Sequence, residues 1–387
     1  MRQRGFTGWL KHDLTHRGPT AWLLSAALFG FYYVLYWTDL LDPLAEAMYL
    51  RHKWHLYGLM YTIAVAAGGA YVIRKYRHNA YQIVRTASVV IVQSTLAFSV
   101  PYILGFFEQP EVYLSYLWPL QIDYFYPSTI ADWPLPFIVW SIVGSLVLVP
   151  LLGVFFGKRW YCSWVCGCGG LANTAGDPFR HLSQKSSKAW TFEKYAIHIT
   201  MVIAFLVTAA VVASYFLGDA PAGLNSAADN LQSWYGFAVV TILSGIVGVG
   251  IYPLGGTRVW CRYFCPMAAV LGLVQKAGKF RITVKDDMCI SCGMCTKYCE
   301  MGIDVRAYAQ RNEDFTRAAC VGCGICEEVC PRGVLHLENT WEERSGPTEL
   351  KLEHLIGDQS EVTGQKSPVT GQKSPATDKQ RPVTSNW

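Results

Sequence analysis

The sequence predicts a membrane α-helical bundle of six transmembrane helices, followed by a small α+β domain built on cysteine-rich loops and then a disordered tail. Three observations lead there. Of 387 residues, 52% are hydrophobic and only 16% are charged, more apolar surface than a soluble core of this size has use for. Apolar runs approaching the roughly 20 residues that span a hydrocarbon core recur six times. Two cysteine runs of identical spacing sit close together toward the C-terminal end.

The first run covers about residues 21–37, behind a basic start of Arg2, Arg4, Lys11 and Arg17. It is too long for a signal peptide and no small-x-small site follows it, so it reads as a retained helix. The other five runs are about 56–73, 87–107, 135–156, 195–216 and 235–253. The short connections then set the orientation. Arg74, Lys75, Arg77 and Arg85 fall between helices two and three, and Lys158, Arg159, Arg180, Lys185, Lys188 and Lys194 between four and five. Residues 108–134 and 218–234 contain no Lys or Arg, whereas the first outer connection holds Arg51 and Lys53. Basic loops stay inside, so both termini are expected in the cytoplasm of a multi-pass bacterial inner-membrane protein. The net charge of +5 is modest and belongs to loops, so no nucleic-acid partner is implied.

The cysteine runs carry the chemistry. Cys289, Cys292, Cys295 and Cys299 form Cys-x2-Cys-x2-Cys-x3-Cys, and Cys320, Cys323, Cys326 and Cys330 repeat it. This is the spacing with which bacterial ferredoxins hold two [4Fe–4S] cubanes, the fourth cysteine of each run ligating the other cluster. Cys289, Cys292, Cys295 and Cys330 are thus assigned to one cluster, and Cys320, Cys323, Cys326 and Cys299 to its neighbour. Gly293, Gly322 and Gly324 fall where the chain curls between ligands, and Pro331 redirects it after the last one. Paired Cys-x2-Cys is also zinc spacing, but three close thiols with a fourth at x3, twice over, fit zinc poorly. Eight cluster thiols also place this domain on the reducing side, where a disulfide framework is not expected.

A second constellation is subtler. Gly157-Lys-Arg159-Trp-Tyr-Cys162-Ser-Trp-Val-Cys166-Gly167 is echoed by Gly256-Thr-Arg258-Val-Trp-Cys261-Arg-Tyr-Phe-Cys265-Pro266. Each follows an even-numbered helix, so helices three–four and five–six read as a duplicated hairpin. Thiols four apart share one face of a helical turn, and the preceding Arg159 and Arg258 would favour thiolate. Cys162, Cys166, Cys261 and Cys265 are expected together at the cytoplasmic surface, as a further metal centre or relay; the alternative is inert buried thiols. Cys168 is a spare ligand.

Other features carry less. The outer stretch 111–133 holds Tyr113, Tyr116, Trp118, Tyr124, Phe125, Tyr126 and Trp133, an interfacial aromatic belt or, more sharply, a docking surface or lid over a quinol pocket. His198 lies inside a run and reads as a hydrogen-bonded bundle residue or a quinone contact. His52 and His55 sit only at a run's edge, so no bis-His haem pair stands out. Residues 362–368 and 369–375 repeat one heptapeptide in a polar tail. The expected division is a cytoplasmic segment 1–20, a six-helix domain 21–256, a connector with the second Cys-x3-Cys 257–282, a two-cluster ferredoxin domain 283–338 and the tail 339–387.

From about Ala87 to Leu337 the chain resembles the membrane iron–sulfur proteins of the nitrous-oxide-reductase regulatory family. It is similar too to the membrane quinol dehydrogenase subunit of periplasmic nitrate reductase. The resemblance rests on paired Cys-x3-Cys-Pro motifs before a two-cluster ferredoxin domain. Gly167 replaces the first Pro, and Glu300 follows Cys299 where Pro is usual. The regulator's periplasmic flavin domain is not expected in the short segment before the first helix. The resemblance implies electron transfer between cytoplasmic clusters and the quinone pool or a periplasmic redox partner, or support for a partner enzyme's metal-centre assembly.

Overall fold

The computed structural model describes residues 6–218 and 223–340, with side chains from residue 18 onward. The repeated heptapeptide and the rest of the tail beyond residue 340 lie outside the described residues. Among the described residues six helices are long and apolar enough to cross a membrane. Helix α1 runs Phe6–Trp37 and breaks at Gly18, whose φ of 75° precedes Pro19. It is followed by α2 (Lys53–Lys75), α3 (Ala80–Phe106), α4 (Leu135–Phe156), α5 (Ser187–Leu217) and α6 (Leu224–Gly250).

The apolar pattern alone starts α3 seven residues late. Its true first turn is capped by Asn79, whose Oδ1 accepts from the Gln82 backbone N–H at 3.2 Å. Gln82 and Arg85 within that turn are fully buried, and their polarity hides the helix from a hydropathy reading. Helix α5 also begins early, capped by Ser186. Helices α3, α4 and α6 widen into π-helical turns at Gln93–Ser99, Gly144–Leu148 and Gly236–Val247, a device often found beside functional sites.

Outward faces stay apolar: Leu23, Leu135, Leu206 and Phe216 are each more than 60% exposed, an uncovered surface of the kind that lipid covers. Inside, Trp118 Nε1 donates to Thr208 Oγ1 at 3.0 Å and its backbone N–H to Ser145 Oγ at 2.9 Å. These are polar ties of the sort that join helices in an apolar medium.

The stretch 111–126 is no surface belt. Val112, Leu117, Ile122, Tyr124 and Tyr126 are buried, and none of the seven aromatic side chains between residues 111 and 133 is exposed. The loop turns inward to mid-bundle, because Ser145 and Thr208 offer its backbone and indole partners there.

After α6 the chain forms α7 (Pro266–Lys276) and a two-stranded antiparallel sheet, β1 (Phe280–Val284) with β2 (Leu335–Asn339). The register pairs Phe280 with Asn339 and Val284 with Leu335. Both cysteine runs lie between these strands. One continuous core joins Leu117, Val207 and Trp260 of the bundle to Phe280, Ile282 and Cys320 of the small domain, and the described residues make one compact unit.

Candidate iron–sulfur and thiol sites

Within the small domain the two runs repeat one local geometry. Gly293 and Gly324 each adopt φ of 75° and open a short helix, Met294–Lys297 and Ile325–Glu328. That left-handed step curls the chain so that thiols on either side face inward. Cys289, Cys292, Cys295 and Cys330 line one cavity, with Arg306 and Arg332 at its wall. Cys299, Cys320, Cys323 and Cys326 line a second. The fourth cysteine of each run thus faces the other run's cavity. Backbone N–H groups already point at sulfur: Gly322 donates to Cys320 Sγ and Val334 to Cys330 Sγ, both at 3.4 Å. Clustered thiols with amide donors are a donor set that suits iron–sulfur clusters.

The two cavities differ in setting. Cys292 is exposed at the first. The second is pressed against the bundle. Arg85 donates to Cys323 O at 2.5 Å, Gln82 to the same oxygen at 3.0 Å, and Tyr81 to Gly322 O at 2.6 Å. Lys158 Nζ reaches Ala318 O at 3.1 Å, and Ser163 Oγ reaches Val321 O at 2.7 Å. Gln275 completes the cradle, donating to Arg317 O and Cys320 O. A Cβ at Gly322 would run into Arg159, so glycine is required there for contact as well as for its φ of 57°.

Glu300, where the resembled family has proline, is wholly buried and forms ion pairs with Arg180 at 3.0 Å and Arg258 at 3.1 Å. Arg180 also pairs with Asp177, which Lys75 meets at 2.5 Å. Burial pushes the Glu300 carboxyl up, but Arg180, Arg258 and Arg85 outweigh it and hold it below its usual range. The same balance, with Arg180 and Lys75, lowers Asp177.

Arg258 links this network to the Cys-x3-Cys pairs. Its NH1 donates to Cys162 O at 3.0 Å and lies 3.8 Å from Cys261 Sγ. Cys162, Cys166, Cys261 and Cys265 are all buried in one core, close enough to act electrostatically on one another. Each second cysteine stands at a helix start: Cys166 precedes Gly167–Asn173, and Cys265 Sγ accepts from Ala268 N at 3.4 Å at the start of α7.

Two expectations need correction. The pairs do not lie at the surface of the bundle but fold back into it. Tyr61, well inside α2, donates to Gly167 O at 2.6 Å, and Gln93 of α3 donates to Val165 O at 2.6 Å. From the other side the inward loop meets them: Tyr161 Oη donates to Ser115 O at 2.8 Å and accepts from Leu117 N at 3.3 Å. Glycine at 167, 169 and 170 permits this; a Cβ at Gly169 would collide with Cys162 O. At Gly167 a Cβ would lie 3.0 Å from both Gln93 Oε1 and Tyr61 Oη.

Of the two arginines only Arg258 favours thiolate, acting on Cys162, Cys166 and Cys261 against their burial. Arg159 leans away, over the rings of Phe280 at 5.1 Å and Tyr81 at 5.9 Å. Burial pushes the Cys162 thiol up to about 12 against Lys158 and Arg258, and raises Cys261 and Cys265 as well. Cys166 alone falls, to about 7, because Cys168 and the amides of Gly169 and Cys168 donate to it. Cys168 therefore belongs to the site as the electrostatic neighbour of Cys166. Among the described residues no three cysteine sulfurs lie within 4.8 Å of one another. His198 donates from Nδ1 to Lys194 O at 2.7 Å, in keeping with a hydrogen-bonded residue, at the rim of a cavity of about 420 Å³.

Comparison with known proteins fits this layout. Residues 282–337 match the 4Fe–4S dicluster domain family. A 4Fe–4S binding domain family matches twice, at 138–186 and 235–285, each time over one Cys-x3-Cys segment and the helix before it. An Escherichia coli K12 protein named for electron transport, YccM, is 29% identical over 155 residues, 38% of this chain and 43% of that protein. An uncharacterized Methanocaldococcus jannaschii protein, MJ0749, is 24% identical over 43% of this chain and 60% of its own length. The methylamine utilization ferredoxin-type protein MauN of Paracoccus denitrificans is 25% identical over 44% of this chain and 58% of its own. The chain thus spans about half the length of these relatives. No solved structure matches. The chain thus carries ferredoxin-type 4Fe–4S domains and is similar to proteins named for electron transport and to MauN-type ferredoxin proteins.

Proposed function

We propose that this chain is an electron carrier of the bacterial inner membrane, with six transmembrane helices and both termini in the cytoplasm. In this reading Cys289, Cys292, Cys295 and Cys330 hold one [4Fe–4S] cluster, and Cys320, Cys323, Cys326 and Cys299 a second. The clusters supply one-electron transfer. The chain's own residues set their surroundings: Arg306 and Arg332 face the outer cavity, while Arg85, Gln82 and Lys158 clamp the inner loop to the bundle. Cys162, Cys166, Cys261 and Cys265 form the next station, a further metal centre or cluster inside the bundle. Electrons pass between the cytoplasmic domain, this station and the quinone pool or a periplasmic redox partner, as the resemblance to the nitrate-reductase quinol dehydrogenase subunit implies.

The observation that carries the reading is the docking of the Cys320–Cys326 loop on the same buried core as the Cys-x3-Cys thiols. The cavity of about 420 Å³ lined by Trp190, Glu193, Lys194, His198 and Arg317 supports a quinone site, because it opens beside the segment leading to Cys320. An EPR redox titration of the purified protein, with and without a quinol analogue, tests it. Two ferredoxin-type signals that the quinol analogue reduces are expected; signals insensitive to quinol at every potential would refute the quinone connection.

A second reading is an accessory protein that delivers electrons for assembly or activation of a partner enzyme's metal centre. The exposed Cys292 cavity favours it, since a soluble partner reaches that cluster directly. Normal maturation of the partner enzyme in cells lacking this chain would refute it.

A further inference from the structure

At the end of the bundle opposite the small domain, three side chains converge that the electron-transfer reading does not use. His52 caps α2 and His55 lies in its first turn. Their rings stack with centroids 4.1 Å apart and an interplanar angle of 14°. Glu111, beyond the end of α3, bridges their Nε2 atoms with its carboxylate: Oε1 is 3.3 Å from His52 Nε2, and Oε2 is 3.5 Å from His55 Nε2. One donor atom from each of the three lies within 4.8 Å of the others, the only such group among the described residues.

His55 is 2% exposed and its Nδ1 has no hydrogen-bond partner. Burying an imidazole so incompletely satisfied is costly. The edge of Tyr102 against its ring, 5.4 Å between centroids, holds it in place. Arg51, bonded to Gly105 O, and the Glu111 carboxylate both press on Gly105, where a Cβ would strike each of them. Two imidazoles and one carboxylate, with a fourth position free, form a ligand set of the open zinc type, and imidazole suits divalent zinc, copper, iron and nickel alike.

We infer that His52, His55 and Glu111 bind a divalent first-row transition ion. The ion replaces the proton that His52 Nε2 shares with Glu111. The ring proton of His52 then moves to Nδ1, and the long 3.4 Å cap bond that Nδ1 accepts from His55 N is given up. The site needs neither the clusters nor the quinone connection. It lies six residues along α2 from Tyr61, about 9 Å of helical rise, and Tyr61 contacts the Cys-x3-Cys segment.

The test uses the full-length, tag-free protein in detergent, titrated with Zn2+ alone. Metal analysis after dialysis counts tightly bound zinc, and X-ray absorption at the zinc edge reads its neighbours. One zinc per chain with nitrogen and oxygen neighbours only, imidazole among them, is expected. H55Q and E111Q should each weaken binding by at least about tenfold while iron content stays at the wild-type level. Sulfur in the zinc shell, or affinity within twofold of wild type in E111Q, would overturn the proposal. Glu111 lies outside the helices, so E111Q decides the matter even if H55Q loses iron.

Discussion

Glu300 Oε1 lies 3.1 Å from Arg258 Nε, and Arg258 in turn donates to the backbone of Cys162. One buried carboxylate thus fixes the residue after a ferredoxin cysteine to the arginine that spans both Cys-x3-Cys pairs. Replacing it leaves the buried Arg258 guanidinium without its carboxylate and Arg180 with Asp177 alone, a change that costs about 3–5 kcal/mol. E300A should therefore lower thermal stability sharply, and E300Q less, since it keeps an acceptor. Melting curves of the detergent-solubilised protein check this; equal stability of E300A and wild type would remove the network's structural role.

The same network sets an acid limit. Glu300 and Asp177 are held below their usual range in the folded chain. Their contribution is complete above the unfolded values of about 4, and it is lost as pH falls through the depressed folded values. Stability should therefore decline below about pH 4. The decline should be shallower in E300Q, which has one such group fewer, as melting temperature against pH would reveal.

If Cys330 serves the first cavity rather than its own run, C330A should damage the cluster of Cys289, Cys292 and Cys295. The neighbouring cluster should persist. EPR or Mössbauer spectra decide between this and loss of the second-run cluster.

Arg85 donates to the carbonyl of Cys323, inside the docking face. R85L removes a buried positive charge beside the inner cavity, which favours the oxidised form of a cluster bound there. Its midpoint potential should fall by about 60 mV, a tenfold change in a one-electron equilibrium. The outer cluster should not move in the same titration.

Single serine replacements at Cys162, Cys166, Cys261 or Cys265 should reduce quinol-dependent electron transfer by similar factors and leave both ferredoxin clusters loaded. G169A, which drives a Cβ into Cys162 O, should match them without touching a thiol. Full activity with all four thiols changed would make them packing residues.

Much of this architecture could be read from residues alone. Runs of apolar side chains located α2 and α4 within three residues at either end, because nothing polar interrupts them. Helix α3 began earlier than its apolar run because Gln82 and Arg85 face a domain interface, and hydropathy counts such residues as loop. The cysteine spacing grouped the thiols that line each cavity, since the ligand geometry is local. The depth of the Cys-x3-Cys segments was hidden, because re-entry depends on Tyr61, Gln93 and Tyr161 meeting partners far away in sequence. His52, His55 and Glu111 were illegible for the same reason: Glu111 belongs to a different connection, and only the packing of α2 against α3 brings it to the histidines.

The inward loop 111–126 and the re-entrant thiol segment meet through Tyr161 in mid-bundle. In a bilayer, polar backbone would then reach the centre from both faces, and the insulating layer between the two water phases would be far thinner than the surrounding lipid. Most of the transmembrane voltage would drop across those few residues. A charge moving there exchanges about 2.3 kcal/mol per 100 mV with the field. The redox poise of the four thiols would therefore respond to the energisation of the membrane.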